Sequence, residues 1–218
     1  ILFHSEITFM SILNFQKPDK ILLQKATDFH GQFEFKPLEP GFGQTIGNSL
    51  RRILLSSLEG YAISAIRIAG VDHEFSSIPG VVEDVVDIIL NIKQIRLKSA
   101  VKGDKATEHQ IYITISGQDE FRAKDIESRT NMFKVMNPEL LICKMEPSVN
   151  LELEMTITKG RGYVPAEENM PENAPIGVIP VDAIYTPLKK VSYHVSNTRV
   201  GQRTDYEKLS IEVETDGT

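Results

Sequence analysis

The chain has 218 residues, of which 41% are hydrophobic and 25% are charged, and its formal net charge is −6 at pH 7. These values are typical of a soluble globular protein with one large or two small domains and enough length for a real core. The negative charge argues against a chain that holds nucleic acid through bulk electrostatics, and no apolar run approaches the ~18 residues that would span a bilayer. The single cysteine, Cys143, excludes an intrachain disulfide, so we expect a reducing compartment and a small buried residue rather than a nucleophile.

The N-terminal segment, residues 1–9 (ILFHSEITF), is a poor signal peptide, because it lacks a basic start and is interrupted by His4 and Glu6. Met10 begins a segment that is typical of a natural start. We therefore interpret residues 1–9 as an upstream extension and assign residues 1–16 as a whole to an N-terminal extension with no role in the fold.

Residues 33–58, FEFKPLEPGFGQTIGNSLRRILLSSL, predict a strand, a turn and a helix. Phe33 and Phe35 alternate with polar residues, which is the period of a half-buried strand. Prolines and glycines then end the strand, and a helical period runs over residues 45–58. At about 100° per residue, one apolar stripe falls within a single arc and predicts the face that packs on the helix's own domain. This stripe consists of Ile46, Leu50, Ile53, Leu54 and Leu58.

The opposite side of the same helix carries Arg52, with Asn48 and Leu55 near it, while Arg51 flanks the apolar arc. Two interpretations stay open. A single exposed leucine beside a solvated arginine is normal on a protein surface. The same pair would also suit a docking face, because arginine offers a fork of donors to a carboxylate and leucine offers apolar area.

The glycines Gly41, Gly43 and Gly47 follow the strand and open the helix, which is the context of a dinucleotide-binding turn. Free N–H groups at the helix N-terminus could bind a phosphate, and Arg51 and Arg52 could add charge. However, the spacing is G-x-G-x-x-x-G, and no clear βαβ unit or Gly-Lys-Ser/Thr sequence follows. Nucleotide binding therefore stays an alternative to a tight turn that lets the helix pack closely on its strand.

The sequence does not predict a metal site or a catalytic centre. Asp72, His73 and Glu74 are adjacent, but neighbours in an extended segment point to opposite faces and cannot converge on one ion. Glu83 and Asp84 lie at the start of a predicted helix, where they favour the helix dipole rather than acid–base chemistry. We expect no catalytic residue, no metal and no cofactor in this chain.

A second helix is predicted over residues 81–95, and its apolar residues cover about 200° of arc or more, which is wider than a one-sided amphipathic helix. Lys93 falls in the middle of that arc. One interpretation is that its stem lies along apolar surface while the ammonium reaches water at the helix end. The other is that a partner protein covers the wide face and pairs with the ammonium.

Alternating apolar residues predict further strands, each with one covered face, at residues 66–68, 111–115, 151–157 and 211–213. A helical turn is expected near residues 123–128. Residues 101–110 and the Pro- and Gly-rich residues 159–177 indicate irregular connections. Because strands and helices do not alternate regularly, the predicted fold class is α+β.

The segment PLEPGFGQTIGNSLRRILLSSLEG resembles a signature of the bacterial-type RNA polymerase alpha subunit, in its N-terminal assembly region. Further segments match in the same order: GVDHEF (70–75), GVVEDVVDIILNIK (80–93), GRGYVPA (160–166), QRTDYEKL (202–209) and ETDGT (214–218). The resemblance runs from about residue 21 to the last residue, so it covers nearly the whole chain.

This resemblance implies a discontinuous dimerisation domain, residues 17–59 plus 188–218, with a β-rich second domain inserted at residues 60–187. It implies a non-catalytic assembly subunit that pairs with a second copy and recruits the β and β′ subunits in the bacterial cytoplasm, associated with the nucleoid through the polymerase. The metal-binding carboxylates for nucleotidyl transfer would be supplied elsewhere. The family's C-terminal DNA-binding domain follows the region matched here, so we expect neither direct DNA binding nor membrane contact from this fragment.

Carried over at matching motif positions, the resemblance implies three groups of contact residues. Those for the β subunit are Asn48, Arg51, Arg52 and Leu55. Those for the β′ subunit are Lys93 and Val181. Those for the homodimer interface are Ile46, Leu50, Ile53 and Leu54. Arg203 and Asp205 lie in another family segment, and we expect them to form a local ion pair that contributes only ~0–1 kcal/mol.

Overall fold

The computed structural model of the chain describes residues 17–18, 20–101, 106–170 and 174–218. The N-terminal extension assigned to residues 1–16 lies outside the described residues. In chain order the strands are β1 (Lys20–Ala26), β2 (His30–Leu38), β3 (Glu59–Ile68), β4 (Leu97–Ser99), β5 (Glu108–Ser116), β6 (Glu120–Arg122), β7 (Phe133–Val135), β8 (Leu141–Lys144), β9 (Asn150–Arg161), β10 (Tyr163–Val164), β11 (Val178–Pro180), β12 (Ala183–Ile184), β13 (Leu188–Val200) and β14 (Arg203–Thr215). The helices are α1 (Phe42–Ser57), α2 (Val85–Ile92), α3 (Ala123–Glu127) and α4 (Ala166–Asn169).

The described residues separate into two compact units, and each is made of two stretches of the chain. Unit 1 contains the described residues up to Arg51 together with Val191–Val213, and unit 2 contains Arg52–Lys190 together with Glu214–Thr218. The described residues form mostly antiparallel sheets with a few helices, so the predicted α+β class is confirmed. The domain bounds of 17–59 plus 188–218 and 60–187 stay a prediction.

Unit 1 contains a four-stranded sheet in the order β1-β2-β14-β13. Strands β1 and β2 are antiparallel, with Ile21 opposite Phe35 and Leu23 opposite Phe33, so the strand predicted at Phe33 and Phe35 is confirmed. The apolar residues that are buried in this unit are Leu38, Val191, Leu209 and Ile211.

Unit 2 is built on a six-stranded sheet in which β5-β9-β3-β4-β7 are neighbours in that order and β11 also pairs with β3. Strand β9 pairs along its length with β3 on one side and β5 on the other. The alternation predicted at residues 111–115 and 151–157 is confirmed, because every second side chain enters the core. Helix α2 covers this core with Val85, Ile88 and Ile92, which have no exposed surface. The core therefore holds α2 in place as one side of the unit.

Helix α2 is shorter than the predicted helix over residues 81–95. Val81 forms an isolated bridge with Met145, and the N–H of Val82 donates to the carbonyl of Lys144 at 2.9 Å. These bonds tie the first two valines to β8 and its neighbour instead of to the helix, so the helix begins only after Asp84. At the other end Lys93 is the C-cap residue, and the chain then turns toward β4. The helical turn predicted near residues 123–128 is confirmed as α3.

Candidate protein-docking surfaces

Helix α1 packs on its sheet through two glycines rather than through large apolar residues. Gly43 and Gly47, one turn apart, are the buried residues of this helix. A Cβ atom at Gly47 would lie 2.6 Å from Cδ2 of Tyr193 and 2.9 Å from Cδ1 of Leu209, and one at Gly43 would lie 2.8 Å from Cγ1 of Val195. A real side chain does not fit at such distances, so glycine is required for the helix to approach β13 and β14 this closely. The interpretation of these glycines as a close-packing device is confirmed, but the strands that the helix packs on are β13 and β14 rather than the preceding strand β2.

A carboxylate of the same chain occupies the N-terminus of α1. Glu207 on β14 accepts the N–H of Gly43 at 2.7 Å and the N–H of Gly41 at 2.9 Å, one with each of its oxygens. Free N–H groups and the helix dipole both favour a negative charge at this position. A nucleotide phosphate would have to compete with Glu207 for the same donors. The dinucleotide-turn alternative for Gly41, Gly43 and Gly47 therefore finds no support in the described residues.

The apolar stripe of α1 is only partly covered within the chain. Ile53 is 55% exposed and Leu58 is exposed as well, whereas Ile46, Leu50 and Leu54 are half-buried. The prediction that the whole stripe packs on the helix's own domain is therefore wrong for Ile53 and Leu58. The reason is that the glycine face, not the stripe, points at the sheet. Ile46 and Ile53 lie roughly 80–100° around the helix from that face and stand beside the packing contact.

One row of residues along α1 is available to a second protein. Phe42, Ile46 and Ile53 follow one another at helical spacing and form what we call the apolar flank of α1. Phe42 and Ile53 are among the exposed large apolar residues of the structure. A helix with an apolar row that its own fold covers only in part is a common form of protein-docking surface.

The side of α1 that carries Arg52 is open to solvent. Asn48, Arg51 and Arg52 are exposed and Leu55 is half-buried. Neither guanidinium forms a hydrogen bond or an ion pair with another residue that the structure describes. Both interpretations from the sequence remain compatible with this geometry, since an exposed Arg52 can be solvated or can receive a carboxylate from a partner.

Helix α2 also presents apolar side chains outward. Val86 and Leu90 are exposed on the side of this helix away from its buried residues, and Val82 just before the helix is exposed too. Ile89 lies beside them, is half-buried and packs partly against the core. Lys93 lies on the same side, between Val86 and Ile89 when the residues are placed at about 100° intervals. We call Val86, Ile89 and Leu90 the apolar face of α2.

Lys93 has an acidic partner that the sequence analysis did not anticipate, and both interpretations of this residue stay predictions. Its Nζ lies 3.5 Å from Oδ2 of Asp182, so the ammonium has a partner within its own unit rather than water alone. A hydrogen bond from the backbone N–H of Ala166 and the nearby Lys93 charge hold the pKa of Asp182 below its usual range. Both side chains remain partly exposed, and a second protein could still reach the pair.

Val181, the second residue assigned to a β′ contact, is fully buried. Its N–H donates to the carbonyl of Ser64 at 2.8 Å, and its own carbonyl accepts the Nδ2 amide of Asn169 at 2.7 Å. A side chain without exposed surface cannot touch another protein in this conformation. The physical reason is that strand β3 and helix α4 enclose the segment from both sides, and we therefore do not retain Val181 as a direct contact.

The remaining predictions concern single residues. Cys143 is fully buried, and burial together with the charge of Glu83 raises the pKa of its thiol to about 12, so the prediction of a small buried residue is confirmed. Arg203 and Asp205 form the predicted local pair, with two hydrogen bonds of 2.6 and 3.1 Å. Both are exposed, so the pair contributes little to stability.

The segment at Asp72–Glu74 forms a turn and not the extended backbone that we predicted. The N–H of Ser76 donates to the carbonyl of His73 at 3.2 Å, and the Oγ of Ser76 lies 3.2 Å from Nδ1 of His73. The imidazole thus has a local partner. The reasoning that excluded a metal from this segment assumed the wrong backbone, although the structure gives no reason to add one.

Two carboxylates that position these surfaces, Glu207 and Asp182, were missed by sequence analysis. Glu207 is a helix-capping carboxylate that lies 164 positions along the chain from Gly43, so no local pattern announces it. Asp182 directly follows Val181, and a carboxylate beside a motif residue was the one signal available. Within the described part of the chain, no helix is long and apolar enough to cross a membrane.

Known proteins resemble this chain over most of its length. Residues 66–186, more than half of the chain, match the RNA polymerase Rpb3/RpoA insert domain. The chain is 59% identical over 208 residues to the DNA-directed RNA polymerase subunit alpha of Cytophaga hutchinsonii and 57% identical over 208 residues to that of Flavobacterium psychrophilum. It is 54% identical over 211 residues to the corresponding subunit of Porphyromonas gingivalis. In each case the match covers 95% of this chain and 62% of the relative, so the chain spans less than two thirds of the length of these curated relatives. With its insert domain and these relatives, the chain belongs to the family of DNA-directed RNA polymerase alpha subunits.

Proposed function

We propose that the chain is a non-catalytic assembly subunit of DNA-directed RNA polymerase, which pairs with a second copy and recruits the β and β′ subunits. The observation that carries this proposal is the orientation of α1. Because the helix is held by Gly43 and Gly47, its apolar flank stays partly exposed and its two arginines stay exposed. A single helix thus offers two surfaces of different chemistry to other proteins.

The homodimer forms through the apolar flank of α1 and its neighbours in the predicted set, Leu50 and Leu54. Full burial of an Ile or Phe side chain contributes about 1.5–3 kcal/mol, and a symmetric interface gains this contribution twice. Ile53, at 55% exposed, has the most to gain among the predicted interface residues. These residues are half covered already, so pairing completes their burial without rearranging the helix.

The β subunit binds the opposite side of α1, at Asn48, Arg51, Arg52 and Leu55. An arginine with a free guanidinium can donate two parallel hydrogen bonds to a carboxylate, and a neighbouring leucine supplies apolar area that excludes water around the pair. Arg52 has no intrachain partner among the described residues that such binding would need to displace. That absence favours a docking role over a structural one.

The β′ subunit binds the apolar face of α2, with Lys93 at its edge. The exposed Val86 and Leu90 supply apolar area, and the ammonium restricts which partner surface can approach. Nucleotidyl transfer needs carboxylates that bind metal ions, and in this proposal the large subunits supply them. The contribution of the present chain is to bring those subunits together.

Substitution of Arg52 by Ala tests the β surface. The variant is expected to keep the wild-type circular dichroism and the homodimer, and to bind β roughly 30-fold more weakly, since truncation of an interface arginine hot spot costs about 2 kcal/mol or more. Arg129→Ala is the matched control, because Arg129 is also exposed and its side chain pairs with no residue in the part of the chain that the structure describes. Loss of folding in Arg52→Ala would show that Arg52 is structural. Equal β binding by both variants would refute the docking role.

Substitution of Lys93 by Glu tests the β′ surface separately. We expect the α–β complex to form normally and the addition of β′ to fail, because the reversed charge lies at the edge of the apolar face of α2 and also repels Asp182. Normal β′ addition by this variant, measured by pull-down with purified subunits, would mean that α2 is not the β′ surface.

A further inference from the structure

The carboxylate of Asp182 is the meeting point of three groups from different segments of unit 2. One oxygen accepts the backbone N–H of Ala166 at 2.9 Å. The other lies 3.5 Å from the ammonium of Lys93. The hydroxyl of Tyr163 is a third partner, and this hydroxyl belongs to an exposed side chain. Asp182 therefore links the start of α4, the short strand β10 and the C-terminal end of α2.

The backbone that carries Asp182 is fixed on both sides. Val181 has no exposed surface, and its N–H and carbonyl are bonded to Ser64 and Asn169. Ala183, on the other side, is also fully buried and pairs with Val164 in the β10–β12 ladder. A carboxylate between two buried, hydrogen-bonded residues has little freedom to move, so it is a fixed reference point for Lys93.

Lys93, in contrast, has a long side chain at the end of a helix. It is the C-cap residue of α2, where the helix ends and the chain turns. A lysine in this position has many rotamers available, and ordering it on binding opposes association. A fixed counter-charge reduces that entropy loss before the partner arrives, because it holds the ammonium at the edge of the apolar face of α2.

We propose that Asp182 is a positioning residue for the β′ surface: it holds the Lys93 ammonium beside the apolar face of α2, and buried Val181 acts through it as the anchor of the segment. This inference rests on the proposed function of that surface. It also gives Val181 a role that its burial allows. The residue shapes the contact without touching the partner.

The test uses Asp182→Asn in the complete chain, assembled first with β and then titrated with labelled β′. Asparagine keeps an oxygen that can accept the N–H of Ala166, so the fold is expected to survive, while the charge that attracts Lys93 is lost. We expect β capture to be unchanged and the Kd for β′ to rise about fivefold, the effect of losing one partly exposed charge pair. Asp182→Glu, which restores the charge on a longer stem, is expected to recover part of the affinity.

A double-mutant cycle separates positioning from general structural support. If Asp182 acts through Lys93, then Asp182→Asn has no further effect on β′ binding when Lys93 is already Ala, and the two effects are non-additive. The matched control is Glu154→Gln. It removes the carboxylate of the Arg67–Glu154 pair on the sheet of the same unit and is expected to leave β′ binding unchanged.

The outcomes distinguish this inference from the function on which it rests. If the wild-type chain captures neither β nor β′, the proposed function fails, and the inference fails with it. If the wild-type chain captures both and Asp182→Asn captures both equally well, only the positioning role is overturned. Additive effects in the cycle, or an equal loss in Glu154→Gln, also overturn it. The inference is supported if Asp182→Asn weakens β′ binding in the wild-type background and has no additional effect in the Lys93→Ala background.

Discussion

Replacement of Ile53 by Ser is the most direct test of the apolar flank of α1. Ile53 is 55% exposed in the single chain, so that fraction of its surface is available for burial against a second copy. If full burial of an isoleucine contributes about 1.5–3 kcal/mol, this fraction corresponds to about 0.8–1.7 kcal/mol per copy and about 1.7–3.3 kcal/mol for the symmetric pair. The dimer Kd should therefore rise roughly 15- to 250-fold.

Sedimentation velocity over a concentration series measures this change directly. Ile176→Ser is the matched control, because Ile176 is 90% exposed and lies outside helix α1, far from Ile53 in the sequence. The control should dimerise like the wild-type chain, and both variants should keep the wild-type far-UV circular dichroism, since neither isoleucine is in a buried core. A Kd that does not change in Ile53→Ser, or a wild-type chain that stays monomeric at every concentration, would refute the reasoning.

Three further predictions concern the elements that position this helix. Gly47→Ala places a methyl group 2.6 Å from the Tyr193 ring and should lower the free energy of unfolding in urea by about 1–3 kcal/mol, whereas unchanged stability would mean that the helix can move away freely. Glu207→Ala removes the acceptor of two helix N–H groups and should lower the same free energy by about 0.5–2 kcal/mol, with Glu207→Gln falling less because its amide oxygen still accepts one bond. Cys143, with a thiol pKa of about 12, should react with Ellman's reagent at pH 8 only after unfolding, and rapid reaction of the native chain would contradict its burial. Because that pKa lies above the free value of 9.0, the stability that the neutral thiol contributes is complete below pH ~9 and is lost as the pH rises toward 12, so wild type should lose more stability than Cys143→Ser over this interval.

Sheet elements were predictable from the sequence because their period is local. The three isoleucines of β5 alternate with polar residues, and the same alternation along β9 follows from one covered and one solvated face. A two-residue alternation is visible within a few positions, so such a strand can be predicted without information about the rest of the fold. The α+β class follows from the same patterns, because the predicted strands and helices do not follow one another in a regular order along the chain.

The orientation of α1 was not predictable by the same reasoning. A helical stripe of large apolar residues normally marks the buried face, yet in α1 that face contains Gly43 and Gly47. A signal was present, since two glycines four residues apart permit the closest approach of a helix to its support. The apolar stripe was the stronger signal, because its large side chains dominate the hydrophobic periodicity while glycines add almost nothing to it. The predicted start of α2 was wrong for a related reason. Val82 forms a backbone hydrogen bond with β8, a distant part of the chain, instead of joining the helix.

The two cations assigned to partner surfaces are prepared for binding in opposite ways. The guanidinium of Arg52 has no partner among the described residues, so a carboxylate that reaches it forms a new pair, and the ordering of the arginine side chain opposes binding. Lys93 already has Asp182 at 3.5 Å, so a partner meets an ammonium whose position is largely set and whose charge is partly compensated. From this difference we infer that the Arg52 surface derives more of its affinity from the charge itself, and the Lys93 surface more from the apolar face of α2. Binding of β should accordingly weaken more steeply with added salt than binding of β′, because screening acts on exposed unpaired charges more strongly than on apolar contacts.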